Sequence, residues 1–194
     1  MTIQGDRRVR ELACTIKAVV FDNDGVLTDN TEIIGFDDKT VLKRRSHYDG
    51  QGISFLRAIG IRVAIMTGES GVGARPIQQL VEKWNGLPSV NTGKWHRIFL
   101  ATGVMGLEKL RSFNTWLENH GTTAQECAAM GDDFTDFPML KMSGFKAAPV
   151  TAEKQIRDIT DFVSERPAGA GAVRDLVNFI LKARDIDPAS LALS

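Results

Sequence analysis

The stretch IKAVVFDNDG (16–25) decides how the chain is read. Its first six residues, IKAVVF (16–21), form a short β-branched apolar run that stops abruptly at Asp22, the pattern of a fully buried parallel strand. Beyond it, Asp22 and Asp24 stand two positions apart, so in extended backbone both carboxylates point to the same side. Two like charges that close cannot both stay ionised cheaply: either one keeps its proton or a divalent cation sits between them. Gly25 lets the backbone turn sharply behind the pair.

Working outward, two more runs of the same kind follow. IRVAIM (61–66) stops at Thr67-Gly68, and ECAAM (126–130) stops at Gly131-Asp132-Asp133. Weaker strand signals lie at GFKAA (144–148) and DFV (161–163). Between them run amphipathic stripes: Ile53, Leu56 and Ile59; Leu107, Leu110, Phe113 and Leu117; and Leu176, Val177, Ile180 and Leu181. Strand alternating with helix predicts an α/β fold, a parallel sheet covered by helices on both faces, with chemistry beyond the carboxyl ends of the strands. All three strong runs end there in polar side chains.

Two segments depart from this alternation. Residues 26–46 are too long for a tight turn and hold an extended pair, TEIIG and KTVLKRR, around Asp37-Asp38, which reads as a protruding hairpin. Residues 84–106 are rich in glycine and turn residues, with one strand-like run, RIFLAT, in an otherwise irregular loop. No repeat or linker divides the 194 residues, so residues 1–194 are expected to form one domain with its core over about 16–182.

Composition narrows the function. The chain has 24 basic and 24 acidic residues, so it lacks the positive field that nucleic acid or an anionic membrane demands. A hydrophobic share of 43% supplies a core and excludes a disordered chain. Cys14 and Cys127 make no disulfide framework or zinc spacing, which suits a reducing cytoplasm. The first fifteen residues carry no apolar targeting core, so a soluble intracellular protein is expected.

The candidate chemistry gathers at the strand ends. Asp132, Asp133 and Asp136 in GDDFTD join Asp22 and Asp24, five carboxylates near one sheet edge without paired His or Cys. Such an all-oxygen set favours a hard cation such as Mg²⁺. Asp136 also reads as a structural acid of a helix's first turn. Thr67 with the Gly68 amide makes a small anion cradle. Lys109 supplies positive charge, with Lys83 and Lys94 as alternatives. Carboxylates, a hard metal, a hydroxyl and a lysine together describe a phosphoryl-transfer centre. A receiver-type signalling domain shares this toolkit, but it carries its acid pair first and its phospho-acceptor later, the reverse of the order here.

With FDNDGVLTD (21–29), MTG (66–68), Lys109 and GDDFTDFPML (131–140) in order, the chain resembles the haloacid dehalogenase superfamily of phosphohydrolases over roughly residues 16–182. The hairpin, YDGQGI (48–53) and AGAGAVRD (168–175) make it most similar to the phosphatases of 3-deoxy-D-manno-octulosonate 8-phosphate and of nine-carbon sialic-acid-type 9-phosphates. The resemblance implies a Rossmann-like three-layer sandwich with a mostly parallel sheet, a hairpin flap after the first strand and no large cap. It further implies a Mg²⁺-dependent phosphomonoesterase of lipopolysaccharide or sialic acid biosynthesis, assembled as a homotetramer. Asp22 would be the nucleophile, passing through an aspartyl-phosphate, and Asp24 the general acid and base. Asp22, the Asp24 carbonyl and Asp132 would hold the metal, with Asp133 and Asp136 behind them, while Thr67, Gly68 and Lys109 would bind the phosphate. The relatives often carry Arg-Asp-Gly at Tyr48-Asp49-Gly50 and a basic residue at Glu69-Ser70. Non-catalytic relatives fused to a sialic-acid cytidylyltransferase tend to lose these acids, and this chain keeps every one.

Overall fold

The computed structural model describes residues 3–37 and 39–191; Asp38, at the centre of the expected hairpin turn, lies outside them. Strand β1 (Ala18–Phe21) is central, entirely buried, and pairs in parallel with both β4 (Arg62–Met66) and β6 (Cys127–Met130). The sheet extends to β5 (Phe99–Ala101) on one side and to β7 (Phe145–Ala148) and β8 (Phe162–Val163) on the other, giving the order β5-β4-β1-β6-β7-β8 with every pair parallel.

Period-two alternation sends the side chains of each strand to opposite faces. Val19, Phe21, Val63, Ile65 and Met130 enter one core. Helices α1 (Ile3–Thr15), α2 (His47–Ala58) and α8 (Ala172–Ala183) cover that face, with Ile53, Leu56, Leu176, Val177, Ile180 and Leu181 packed inward. Ala18, Val20, Ala64, Met66 and Ala129 face the other core, closed by α5 (Gly106–Glu118) through Phe113, Trp116 and Leu117. Small residues on this second face let α5 and the short α6 (Phe137–Met142) approach closely. The three-layer α/β sandwich expected from the sequence is therefore present, with no large cap among the described residues. Leu107 differs from its expected place in the α5 stripe, because it lies in the helix's first turn, beyond the end of the core, and is exposed.

The hairpin exists but is short: β2 (Ile33–Ile34) pairs antiparallel with β3 (Val41–Leu42), and Thr28 bridges Arg45 at its base. The 84–106 region is more ordered than its composition suggests. Helix α3 (Gly71–Asn85) runs into it, and α4 (Pro88–Asn91) follows with Pro88 opening the helix, where its missing N–H is not needed. Asn85 then bonds both backbone groups of Ile98, and Arg57, fully buried, ties the carbonyls of Trp84 and His96. Two short helices, α7 (Lys154–Arg157) and α9 (Pro188–Leu191), complete the chain. Among the described residues no helix is long and apolar enough to cross a membrane.

Candidate active site

The carboxyl ends of β1, β4 and β6 converge on one cleft of about 190 Å³, into which Asp22, Asp24, Thr67, Gly68, Asp132 and Asp133 open. Asp22 is fixed by its own strand: its N–H donates to the Met130 carbonyl at 3.0 Å, extending the β1–β6 ladder one residue past its end. The chain then doubles back, with the N–H groups of Leu27 and Thr28 both donating to the Asn23 carbonyl at 2.9 Å. Gly25 makes the reversal possible. It adopts φ +78°, and a Cβ there would lie 1.9 Å from an Asp132 carboxylate oxygen, so only glycine lets the β1 loop close against the β6 loop.

Beneath the cleft lies a buried ionic knot. Lys109, 1% exposed on α5, donates to Asp22 Oδ1 at 2.9 Å and to Asp136 Oδ1 at 2.6 Å. Asp136 spends its second oxygen on the Asp132 N–H at 3.0 Å, so both of its oxygens are engaged in positioning. Burial alone would lower the Lys109 pKa, but Asp22 and Asp136 more than offset it and hold the ammonium above the usual lysine range. Burial raises Asp22 well above an ordinary carboxylate, and Asp136 adds to the rise while Lys109 opposes it. Asp132 is pushed up to about 7, first by burial, then by the charges of Asp136 and Asp133.

Oxygens of Asp22, Asp132 and Asp136 lie within 4.8 Å of one another, against a single ammonium. That is an excess of negative charge in a poorly solvated place, which a hard divalent cation would relieve. The donors fit such an ion, and Asp22 and Asp132 are the two carboxylates of the three with an oxygen not already committed to Lys109 or the backbone. Asp133, at the edge of the cleft, spends Oδ1 on the Thr135 N–H at 2.7 Å and its hydroxyl at 2.6 Å, and so shapes the turn that delivers Asp132 and Asp136.

Opposite this knot, Thr67 Oγ1 accepts from the Glu69 N–H at 3.1 Å, and the Gly68 Cα packs so closely on Met105 that a Cβ would meet its Cγ at 2.6 Å. Lys109 is the lysine of the site; Lys83 and Lys94 are exposed elsewhere. Lys43 is a site residue that sequence reasoning missed. Its side chain, 2% exposed, reaches from the hairpin to Asp24 Oδ1 at 2.7 Å and Glu32 Oε1 at 2.7 Å, with Glu69 at 3.7 Å. Thr28 and Asn23 complete the shell of Asp24. Within the run KRR (43–45) a lysine reads as a solvated charge; only the fold turns it inward.

Comparison with known proteins identifies the family. The family of haloacid dehalogenase-like hydrolases matches residues 76–174. The chain is 30% identical over 171 residues to the 3-deoxy-D-manno-octulosonate 8-phosphate phosphatase KdsC of Haemophilus influenzae, covering 87% of this chain and 84% of that protein. Among solved structures it is similar to the 3-deoxy-D-manno-octulosonate 8-phosphate phosphatase of Moraxella catarrhalis in complex with magnesium, phosphate and KDO. That match has TM-score 0.79 and 25% identity, covering 97% of this chain and 99% of the other. The cobalt-bound H. influenzae enzyme is similar too, with TM-score 0.79 and 26% identity over 94% of this chain and 99% of that one. The chain therefore belongs to the haloacid dehalogenase-like hydrolases. Within them it falls in the KdsC phosphatase group, and it is a phosphomonoesterase.

Proposed function

We propose that this enzyme hydrolyses the phosphate ester of an eight-carbon keto-sugar acid, 3-deoxy-D-manno-octulosonate 8-phosphate or a close analogue, with Mg²⁺ as its cofactor. The observation that carries the reaction is the buried Asp22, aligned by β1 and by Lys109 at the floor of an otherwise open cleft. Asp22, Asp132 and the Asp24 carbonyl would hold Mg²⁺. The ion supplies positive charge where an anionic carboxylate must approach an anionic phosphate.

In this reading an Asp22 oxygen attacks phosphorus, the P–O bond to the sugar breaks, and Asp24 donates a proton to the departing oxygen. The aspartyl-phosphate is then hydrolysed by water, whose proton returns to Asp24, freeing inorganic phosphate and Asp22. Thr67, the Gly68 amide and Lys109 bind the phosphate oxygens as charge moves among them. Asp136 keeps Lys109 oriented and Asp133 keeps the β6 loop folded. The residues from about 16 to 182 act as one unit in this scheme, and the free thiols of Cys14 and Cys127 suit the cytoplasm.

A homotetramer is part of the proposal. Ile33 and Ile34 are two-thirds exposed, and Phe36 and Leu42 stand out beside them, an apolar tip that a neighbouring copy would cover. Sugar selectivity would then rest on the hairpin and the Tyr48–Gly52 turn.

The test is a panel of phosphorylated eight- and nine-carbon keto-sugar acids with hexose phosphates as controls. The eight-carbon ester should give the highest kcat/KM, and EDTA should silence turnover until Mg²⁺ is restored. A preference for the nine-carbon esters would move the assignment to the sialic-acid-type 9-phosphate phosphatases, and a metal-independent rate would remove the cation from the mechanism.

A further inference from the structure

At the amino end of the sheet, away from the cleft, a second cavity of about 300 Å³ opens between the β1, β4 and α5 ends of the chain. Four basic side chains line it, Lys17, Arg62, His120 and Arg184, and no carboxylate does. The acid that does come near is Glu126, which pairs with Lys17. Arg184 is tied through Nη2 to the Ile16 carbonyl, while its Nε is buried with no acceptor. His120 gives Nδ1 to the Trp116 carbonyl, leaving Nε2 for another partner. Among the described residues the Arg62 guanidinium has no hydrogen-bonding or ion-pair partner. The loops that frame the cavity turn at Gly60 and Gly121, both at positive φ, where an added Cβ would meet nothing.

The surroundings deepen the imbalance instead of relieving it. His96 feels Arg62, His120 and Arg57, and burial together with these charges lowers its basicity. Arg57, itself fully buried, has Arg97 as its charged neighbour. In a chain with no net charge, a cluster of acids thus stands at the carboxyl ends of the strands and a base-lined cavity at their amino ends. Positive side chains converging on a cavity lined by the unpartnered Arg62 guanidinium call for a multivalent oxyanion, which offers several acceptors at once.

We propose that this cavity is a second anion site, remote from the catalytic cleft, that takes a phosphate group, either inorganic phosphate or the phosphate of a small ester. The oxygens accept from Arg62, from Lys17 and from His120 Nε2, and the cavity leaves room for a small organic group beyond a bare phosphate. The site stands on its own geometry and does not depend on which sugar the cleft hydrolyses.

Amide NMR of the metal-free enzyme, titrated with inorganic phosphate and separately with glucose 6-phosphate, tests it at constant ionic strength. Saturable shifts are expected at Gly60, Gly121 and Thr122, distinct from any at Gly68. Arg62→Gln should weaken that response about tenfold, and Arg62→Glu should abolish it, while the Gly68 response persists. Whichever anion saturates the site more tightly identifies its source. Lys17→Gln, whose side chain is mostly exposed, serves as a second probe should either Arg62 variant misfold. No saturable shift at the three amides with either anion, an equal response to chloride, or a response that survives Arg62→Glu would overturn the assignment.

Discussion

The floor of the cleft and the hairpin above it are built on opposite terms. The floor stands on β1, β4 and β6, whose side chains are almost wholly buried and whose ladder continues through Asp22 into the site itself. The hairpin has two residues per strand, exposes most of its apolar side chains, and is anchored to the rest of the protein through Lys43 and the Thr28–Arg45 bridge. A two-stranded ribbon of this size has no core of its own and needs something to pack against. The contrast separates two tasks. Carboxylates proposed to react need positions fixed to fractions of an ångström, which a close-packed sheet edge gives. The parts that recognise a sugar or a neighbouring subunit can sit on a ribbon that is completed on assembly.

The sharpest break of this contrast is at the floor. Asp22→Asn removes the proposed nucleophile while keeping shape and the capacity to hydrogen-bond, so turnover of p-nitrophenyl phosphate should fall on the order of a thousandfold or more. The circular dichroism spectrum and melting profile should stay those of a folded protein. Retention of more than about a tenth of the rate would show that another group attacks phosphorus.

Next in size is Lys109→Met. It leaves Asp22 and Asp136 buried without their shared cation, a kind of truncation that costs about 3–5 kcal/mol. Urea unfolding of the metal-free protein should show a loss of that order, with activity lost as well. A loss below about 1 kcal/mol would mean that the two acids share a proton and need no ammonium. At the hairpin the expected damage is to assembly. Deleting residues 29–45 should lower the mass measured by light scattering while the α/β core still folds, because no strand of the large sheet is touched. A tetramer that survives the deletion would assign the interface to another surface.

The same contrast explains what could be read from the sequence. Asp22, Thr67 and Asp132 were legible because a buried strand announces itself by an apolar run, and a parallel sheet puts whatever follows that run at one edge. The α5 stripe pointed to the helix that carries Lys109, but nothing local separated Lys109 from Lys83 or Lys94; only the three-dimensional approach of α5 to β1 does. Lys43 was illegible for the same reason, since its partners come from two loops, Asp24 and Glu32 from the β1–β2 connection and Glu69 from the turn after β4. Helix α1 went unread because polar residues dominate its 13-residue segment, and the order in 84–98 because Asn85 and Arg57 supply it through long-range bonds to backbone carbonyls and the Ile98 N–H. Local pattern reports burial and periodicity; it does not report which distant polar group a side chain will meet.

The smallest expected effect lies where the two regions are joined, at Asp49. This acid opens α2 just beyond the hairpin, and its Oδ1 accepts the Arg174 N–H of α8 at 2.9 Å while Oδ2 is buried without a partner. Burial is the main cause that raises its pKa to about 6, outweighing the backbone donors of Arg174 and Gly171 that favour the charged form. Because the folded-state pKa lies above the unfolded value near 4, proton binding favours the folded state. The stability this contributes is complete below about pH 4 and lost as the pH rises through about 6. Asp49→Asn keeps the acceptor for Arg174 but cannot ionise, so it escapes that loss. Its melting temperature relative to the parent should therefore climb between pH 5 and 7, by a few degrees given about 2–4 °C per kcal/mol at this chain length, and then level off. Any constant cost of the amide group cancels from this slope. A difference that stays flat across the range would show that Asp49 is ionised throughout, with its buried oxygen satisfied from outside the chain.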